Sequence, residues 1–328
     1  MDLPYNLRSA LDETLKTAAP SSMMHFAQDL SQRYRTGHAQ GRKTFLPTKE
    51  DIIAYAAYRL PATFAAIYAA LTQVRKRRPG WHPQTMLDVG AGPGTAMWAT
   101  ATLWHELERV TLLEREQHMI AYGKRLASYA QVPAITEARW QHVDLTGQWE
   151  CDSYDLVIAA YILGELPQPK LDVLLSRLWS CTAGVLLLVE PGTPRGFSLI
   201  RHARELLLSD GAKMIAPCPH ERTCPMPAHD WCHFAQRITR TRLQRAVKGA
   251  SLSYEDEKFS YVALSHTESV PISGRVLRHP QKRSGHIHLE LCTPEGLKHA
   301  IVTRSQRNAF REAQDLHWGE AISEKAPE

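Results

Sequence analysis

Residues 85 to 95, Thr-Met-Leu-Asp-Val-Gly-Ala-Gly-Pro-Gly-Thr, restrict what this chain can fold into more than any other stretch. A short apolar strand runs straight into glycines at 90, 92 and 94, and an Ala-rich helical segment follows from about Thr95 to Leu107. Glycine adopts left-handed backbone angles without steric cost, and its missing Cβ lets a ligand approach the chain closely. Strand, tight glycine turn and helix N-terminus together open a nucleotide-binding βαβ unit. Thr95 stands where a dinucleotide-type Gly-x-Gly-x-x-Gly places its third glycine, which disfavours a pyrophosphate ligand.

Strand and helix signals continue to alternate after this turn. Val110–Glu114, Gln141–Leu145, Tyr154–Ala160 and Gly184–Pro191 read as strands two to five, with a helix from Leu171 to about Ser180 between the last two. This spacing specifies a doubly wound sheet with right-handed crossovers. Glu114 ends strand two about twenty residues past the glycines, where a carboxylate accepts hydrogen bonds from both ribose hydroxyls. Asp144 ends strand three, in reach of an adenine amine; a loop-capping role is the alternative. Leu87 to Gly94 resembles motif I of the class I methyltransferases. The resemblance implies a Rossmann-like α/β fold that binds S-adenosylmethionine, with Asp88, Gly90, Gly92, Gly94, Glu114 and Asp144 as cofactor-binding residues.

The catalytic position does not follow suit. Amino-methylating enzymes of this fold commonly carry an Asp or Asn-Pro-Pro-aromatic loop after strand four, whereas this chain reads Tyr161-Ile-Leu-Gly-Glu-Leu-Pro167. Methylation at cytosine C5 needs a thiolate nucleophile. Cys151 and Cys181 precede strands instead of lying in a catalytic loop, and they read as small buried hydrophobes. Glu165 is left as the candidate base, against the plainer reading of an exposed carboxylate at a helix entry.

Between Cys218 and Cys232 lie three thiols in fifteen residues, with prolines at 219, 225 and 227. So little apolar side chain leaves the loop without a core of its own, and a metal centre is the means of ordering it. The N-terminus shows no secretory signal pattern, so a cytoplasmic location with reduced, ligating thiols is expected. The spacing is Cys-x5-Cys-x7-Cys, with Cys292 as the remaining thiol after the sheet. Zinc and iron-sulfur clusters both accept four cysteines, and this spacing does not choose between them. His220, His229 and His233 are alternative fourth ligands.

Ala216–Pro225, Asp230–Arg237, Tyr254–Val262 and Leu291–Gly296 together resemble the small-ribosomal-subunit methyltransferase-like family, over a match running from about Tyr55 to the C-terminal helix. The resemblance implies a [4Fe-4S] cluster on Cys218, Cys224, Cys232 and Cys292, and association with the small ribosomal subunit during its assembly. The Cys-x3-Cys-x2-Cys spacing of radical S-adenosylmethionine chemistry is absent, so the cluster is expected to be structural.

The expected organisation is an N-terminal helical region (1–80), a Rossmann-like domain (81–210), a cysteine-rich cluster-binding and basic insertion (211–250), and the remaining strands with a small C-terminal β unit and a last helix containing Phe310 and Trp318 (251–328). Thr48 and Asp51 form a capping box for a helix that Pro61 should end or kink. A second helix then runs from Ala62 to the basic cluster Arg75–Arg78. Lys plus Arg outnumber Asp plus Glu by 39 to 34, a surface a polyanion can use. Arg237, Arg240, Arg242, Arg245 and Lys248 are placed on a helix as ribosomal RNA contacts, with Arg275 and Arg278 as further candidates. At 44 % hydrophobic content the chain is not disordered, and apolar runs such as Val185–Val189 are too short to span a bilayer. The expected function is that of an S-adenosylmethionine-binding, iron-sulfur factor of the small subunit. Two alternatives are an active ribosomal RNA methyltransferase and a zinc-stabilised small-molecule methyltransferase.

Overall fold

All three turn glycines take the left-handed angles expected of them, with φ of 68°, 55° and 80° at Gly90, Gly92 and Gly94. They join β1 (Thr85–Val89) to α3 (Thr95–Leu103) in the computed structural model, which describes residues 1–15, 49–240, 244–245 and 251–323. Ahead of them lie α1 (Tyr5–Leu15) and α2 (Lys49–Arg77). After them come β2 (Arg109–Glu114), α4 (Gln117–Ala127), α5 (Pro133–Thr136), β3 (Arg139–His142), β4 (Tyr154–Ala160), α6 (Gln168–Ser180), β5 (Thr182–Pro191) and α7 (Pro194–Ser209).

The strands form a sheet of order β3-β2-β1-β4-β5, all parallel, extended by three antiparallel pairings. β8 (Tyr254–Ser265) lies antiparallel between β5 and β6 (Lys213–Ala216), and its N-terminal half pairs with β7 (Phe234–Thr239). The sheet thus continues past residue 210 through β6, β7 and β8. Alternate residues of the central strands enter two cores. Leu156, Ile158, Val185 and Leu187 meet α1, α2 and α3, while Val157, Ala159, Leu186 and Leu188 meet α6 and α7. Covered on both faces, these strands read as unbroken apolar runs.

A second, antiparallel sheet of order β10-β11-β9-β13, with β12 on β11, comprises β9 (Ile272–Val276), β10 (Gln281–Lys282), β11 (His286–Thr293), β12 (Gly296–Thr303) and β13 (Ala321–Ser323). Helix α8 (Arg307–Asp315) buries Phe310 and Ala313 against Ile287, Leu289 and Leu291 of this sheet. Trp318 lies beyond that helix, where its indole N–H donates to the carbonyl of His233 (3.0 Å).

Sequence expectations are corrected at three points. Pro61 does not end a helix, because α2 continues through it. Leu60, Phe64, Ile67, Leu71 and Val74 are all buried on both sides of the proline, and that packing outweighs one lost backbone bond. Thr48 lies outside the described residues. As one helix, α2 is long and apolar enough by composition to cross a membrane, although 59 % of its most apolar window is buried inside the protein. Arg237 belongs to strand β7, not a helix, because Phe234 and Ile238 alternate inward with period two while the backbone pairs with β8. Arg242 and Lys248 lie outside the described residues. Finally, Cys151 and Cys181 are joined as a disulfide, since adjacent parallel strands β4 and β5 bring the segments entering them together.

Candidate cofactor cavity and thiol cluster

A cavity of about 160 Å³ opens above the C-terminal ends of β1, β2 and β4. The sheet order reverses between β1 and β4, so crossovers leave opposite faces and a crevice stays open there. Asp88, Gly90, Gly92, Glu114, Asp144 and Glu165 all line it. Backbone N–H groups of Gly90 and Ala91 donate to the Leu113 carbonyl (2.9 and 3.0 Å), which fixes the turn across the β2 end. A Cβ at Gly92 would meet nothing within 4 Å, so this glycine faces open space. Gly94 is not on the cavity wall. It starts α3 and backs onto Trp140, Met97 and Leu112, so close packing requires it there.

Glu114 is held by two backbone donors, Gly92 N–H to Oε2 and Glu116 N–H to Oε1, both at 2.8 Å. Each oxygen keeps a lone pair for a ribose hydroxyl. Asp144 uses Oδ1 to accept the N–H and hydroxyl of Thr146, both at 2.8 Å, which is the loop-capping arrangement, and Oδ2 is left for a ligand. Glu165 lies on the rim with an exposed side chain; the protein packed beneath it, and then the charge of Glu114, push its carboxyl up. Solvent at the rim dilutes that effect.

Asp88 is buried and its Oδ2 has no hydrogen-bond partner. Burial, then the Glu114 charge, pushes its carboxyl up to about 8. An unfolded Asp releases its proton near pH 4, so between that pH and about 8 the folded chain holds a proton that the unfolded chain has lost. Stability of the ligand-free protein should therefore fall as pH rises through this window, by a slope approaching about 1.4 kcal/mol per pH unit. Asp88→Asn should flatten the slope in urea midpoints taken from pH 5 to 8. An Asn variant with the wild-type slope would assign the effect elsewhere.

Sequence reasoning missed the wall opposite the glycines. Tyr55, Thr63 and Ile67 of α2 reach the cavity, as does Tyr161 at the end of β4. Helical periodicity marked α2 as amphipathic, but no local signal says which strand end its side chains meet. Tyr161 has φ 62°, a left-handed conformation that costs an aromatic residue about 1–2 kcal/mol. Its hydroxyl donates to Glu257 (3.0 Å), Arg59 pairs with the same carboxylate (2.9 Å), and the Arg59 guanidinium lies 5.3 Å from the Tyr161 ring centre. The position after β4, where amino-methylating enzymes carry the loop that binds the target amine, is here a Tyr side chain locked into this network.

The second site lies between α7, the loop that follows β6, and the second sheet. Cys218, Cys224, Cys232 and Cys292 line one cavity there, although the chain places sixty residues between the last two. Pairing in register with Arg275 of β9 holds Cys292 at that wall. Among the described residues no three His, Cys, Asp or Glu side chains close around a point that could hold a single metal ion. Burial pushes the Cys292 thiol up to about 12 and the Cys232 thiol well above its ordinary range, with the neighbouring thiols adding to both shifts. Four ionised sulfurs in such a cavity require positive charge among them. Of the alternative ligands, His220 Nε2 stands 3.6 Å from Cys292 Sγ. His233 instead packs between Trp231 and Trp318, and His229 is not on the wall.

The arginines expected to meet RNA have other work here. Arg275 is 1 % exposed and donates to the carbonyls of Pro217 (2.7 Å) and Gly319 (2.9 Å) and to Gln73. It is a buried tie between the thiol loop, the C-terminal segment and α2, not a surface contact. Arg278 grips Asp230 at 2.6 and 2.7 Å, bracing the same loop. Arg240 pairs with Glu255 (3.0 Å). Arg237 pairs with Asp256 (2.8 Å) and stacks on Tyr254, yet its side chain is 58 % exposed. Arg245 is half-buried, in the described pair 244–245.

A parallel core of order 3-2-1-4-5, an antiparallel strand inserted beyond it and a glycine turn at the switch point make this a protein with the class I methyltransferase fold. Within that class the chain belongs to the mitochondrial small ribosomal subunit Rsm22 family, whose profile matches residues 49–323. It is 31 % identical over 298 residues to the human mitochondrial ribosome assembly protein METTL17, covering 84 % of this chain and 63 % of that protein. Against the Saccharomyces cerevisiae ribosome assembly protein RSM22 it is 20 % identical over 407 residues, covering 79 % of this chain and 64 % of the relative. The chain thus spans less than two thirds of these curated relatives. Among solved structures, the Synechocystis magnesium protoporphyrin IX methyltransferase with bound S-adenosylmethionine aligns over 74 % of this chain and 94 % of that one, at 15 % identity and a TM-score of 0.40. The N-methyltransferase NodS of Bradyrhizobium japonicum aligns over 62 % and 94 %, at 13 % identity and a TM-score of 0.39.

Proposed function

We propose that this protein is an assembly factor of the small ribosomal subunit that binds S-adenosylmethionine in the glycine-turn cavity and carries a [4Fe-4S] cluster on Cys218, Cys224, Cys232 and Cys292, with ribosomal RNA as its partner. The observation that carries the reading is the gathering of four cysteines, distant in sequence, on one cavity wall. Four thiolates fit either zinc or an iron-sulfur cluster, and the cluster is the reading the family resemblance favours. When bound, the cluster supplies four iron–thiolate bonds that clamp the loop following β6 to β11. Glu114 accepts the ribose hydroxyls, and the acidic lining around Asp88 suits a ligand carrying sulfonium and ammonium charges.

Tyr161 favours a binding role over methyl transfer, because it replaces the amine-binding loop of amino-methylating enzymes with a side chain tied to Glu257 and Arg59. Glu165 on the rim is the residue on which the rival reading, an active ribosomal RNA methyltransferase, rests. Arg237, exposed beside Tyr254, is the strongest of the candidate phosphate contacts.

Anaerobically purified protein should contain iron and sulfide, bind labelled S-adenosylmethionine, and co-sediment with small subunits in a salt-sensitive way. It should leave labelled methyl groups off small-subunit RNA. Cofactor binding without subunit association overturns the assembly role, and transfer of label to RNA replaces the binding role with an enzymatic one.

A further inference from the structure

Two buried guanidinium groups on the thiol cavity have N–H bonds to spare. Arg204 of α7 and Arg275 of β9 are 4 % and 1 % exposed, and both line the cavity with the four cysteines. Arg204 Nη2 donates to the carbonyls of His220 (3.0 Å) and Arg222 (2.6 Å), while its Nε–H has no partner. Arg275 donates through Nε and Nη1, and its Nη2 has no partner. Among the described residues neither arginine forms an ion pair with a carboxylate. A buried cation without a counter-charge is costly, and an unused donor beside it adds to the penalty. Of the side chains that line the cavity with them, half-buried Arg201 among them, the four cysteines are the ones that gain negative charge when they bind a metal centre. Four thiolates around an oxidised four-iron cube carry a net charge of about −2, which two guanidinium groups balance.

We propose that the Arg204 Nε–H and an Arg275 Nη2–H donate hydrogen bonds to the sulfurs of the centre held by these cysteines, neutralise its charge and so set its reduction potential. The proposal rests on the iron-sulfur reading above. Charge and hydrogen bonding at sulfur favour the more negative, reduced cluster, so losing them drives the potential down. Here the two arginines are positioning residues, acting on the centre through its sulfurs.

The test uses the full chain, purified anaerobically, with iron and sulfide assayed first. The one-electron reduction of the cluster by dithionite is then followed by EPR. Arg204→Gln should keep the cluster yet shift its potential to a more negative value, while Arg204→Lys, which retains a charge and donors, should stay closer to wild type. A loaded Arg204→Gln protein with the wild-type potential overturns the proposal. The wild type supplies a second readout that needs no variant to fold: transfer to D₂O should shift its iron–sulfur stretching bands in resonance Raman spectra, and unshifted bands also overturn it. A wild type lacking iron and sulfide sinks the cluster reading itself, a failure distinct from loaded protein whose bands ignore deuterium.

Discussion

Cys224→Ser should yield a protein that lacks the brown colour of an iron-sulfur centre, retains little iron or sulfide, and co-sediments weakly with the small subunit. Serine matches the size of cysteine but offers a poor donor to iron, so the change removes the bond and leaves the packing almost untouched. Removing the bond matters because the loop from Cys218 to Cys232 has no core of its own and contributes only Met226 to the buried members of a small hydrophobic cluster shared with other elements. Phe197, Met226, Leu277 and Cys292 are its buried members, with Cys224, Trp231 and Cys232 packed against them. Without the clamp, the loop is held mainly by the Arg278–Asp230 pair, the Arg204 and Arg275 bonds to its carbonyls, and Trp231 donating to the Gly192 carbonyl (2.9 Å). Iron and sulfide assays check the first outcome, and gradient sedimentation the second. Full subunit association by a clusterless variant would remove the cluster from any role in binding.

Arg275→Ala should be among the most destabilising single substitutions in the chain. Three acceptors lose a charged donor at once, and hydrogen bonds to charged groups are worth about 1.5–3 kcal/mol each, so even with partial relaxation the loss should reach about 3 kcal/mol or more. The three acceptors lie on α2, the loop after β6 and the C-terminal segment, so the two sheets should also lose their fixed relation. Urea midpoints at constant slope measure this. Arg237→Ala is the contrast: its pair with Asp256 is solvent-exposed, and such pairs contribute little to stability. Its midpoint should hardly move while subunit affinity falls and becomes less salt-sensitive. Should the two variants lose equal stability, the division into buried tie and surface contact would be wrong.

Arg275 and Arg237 also show where sequence reasoning reached its limit. Arg237 read as a helix residue and Arg275 as part of a small β unit, and both read as surface cations. Which one is buried depends on what packs over each strand: Arg275 of β9 is tied to the thiol loop and the C-terminal segment, whereas Arg237 of β7 lies over Tyr254 and stays exposed. Pro61 carries the same lesson, since a local rule that ends helices was overruled by apolar side chains buried on either side of it. Cys151 and Cys181, thirty residues apart, met because their strands are neighbours.

Local chemistry, in contrast, was legible wherever a few adjacent residues suffice. The glycine turn needs positive φ at successive positions, which only its glycines supply without strain, so β1, the turn and the start of α3 could be read directly. Glu114 was legible because the length of one βα unit fixes how far a strand end lies from the turn. Apolar runs of five to seven residues located β4 and β5 for the same reason, since a strand covered on both faces has no polar side to show. The tertiary structure alone decided what lies across each cavity. Tyr161 lines the first, with its hydroxyl on a carboxylate nearly a hundred residues away. Arg204 and Arg275 face the sulfurs of the second from a helix and a strand that no spacing rule connects. Side chains that meet across a cavity are brought together by the packing of whole elements, and the pattern of neighbours along a chain carries no record of it.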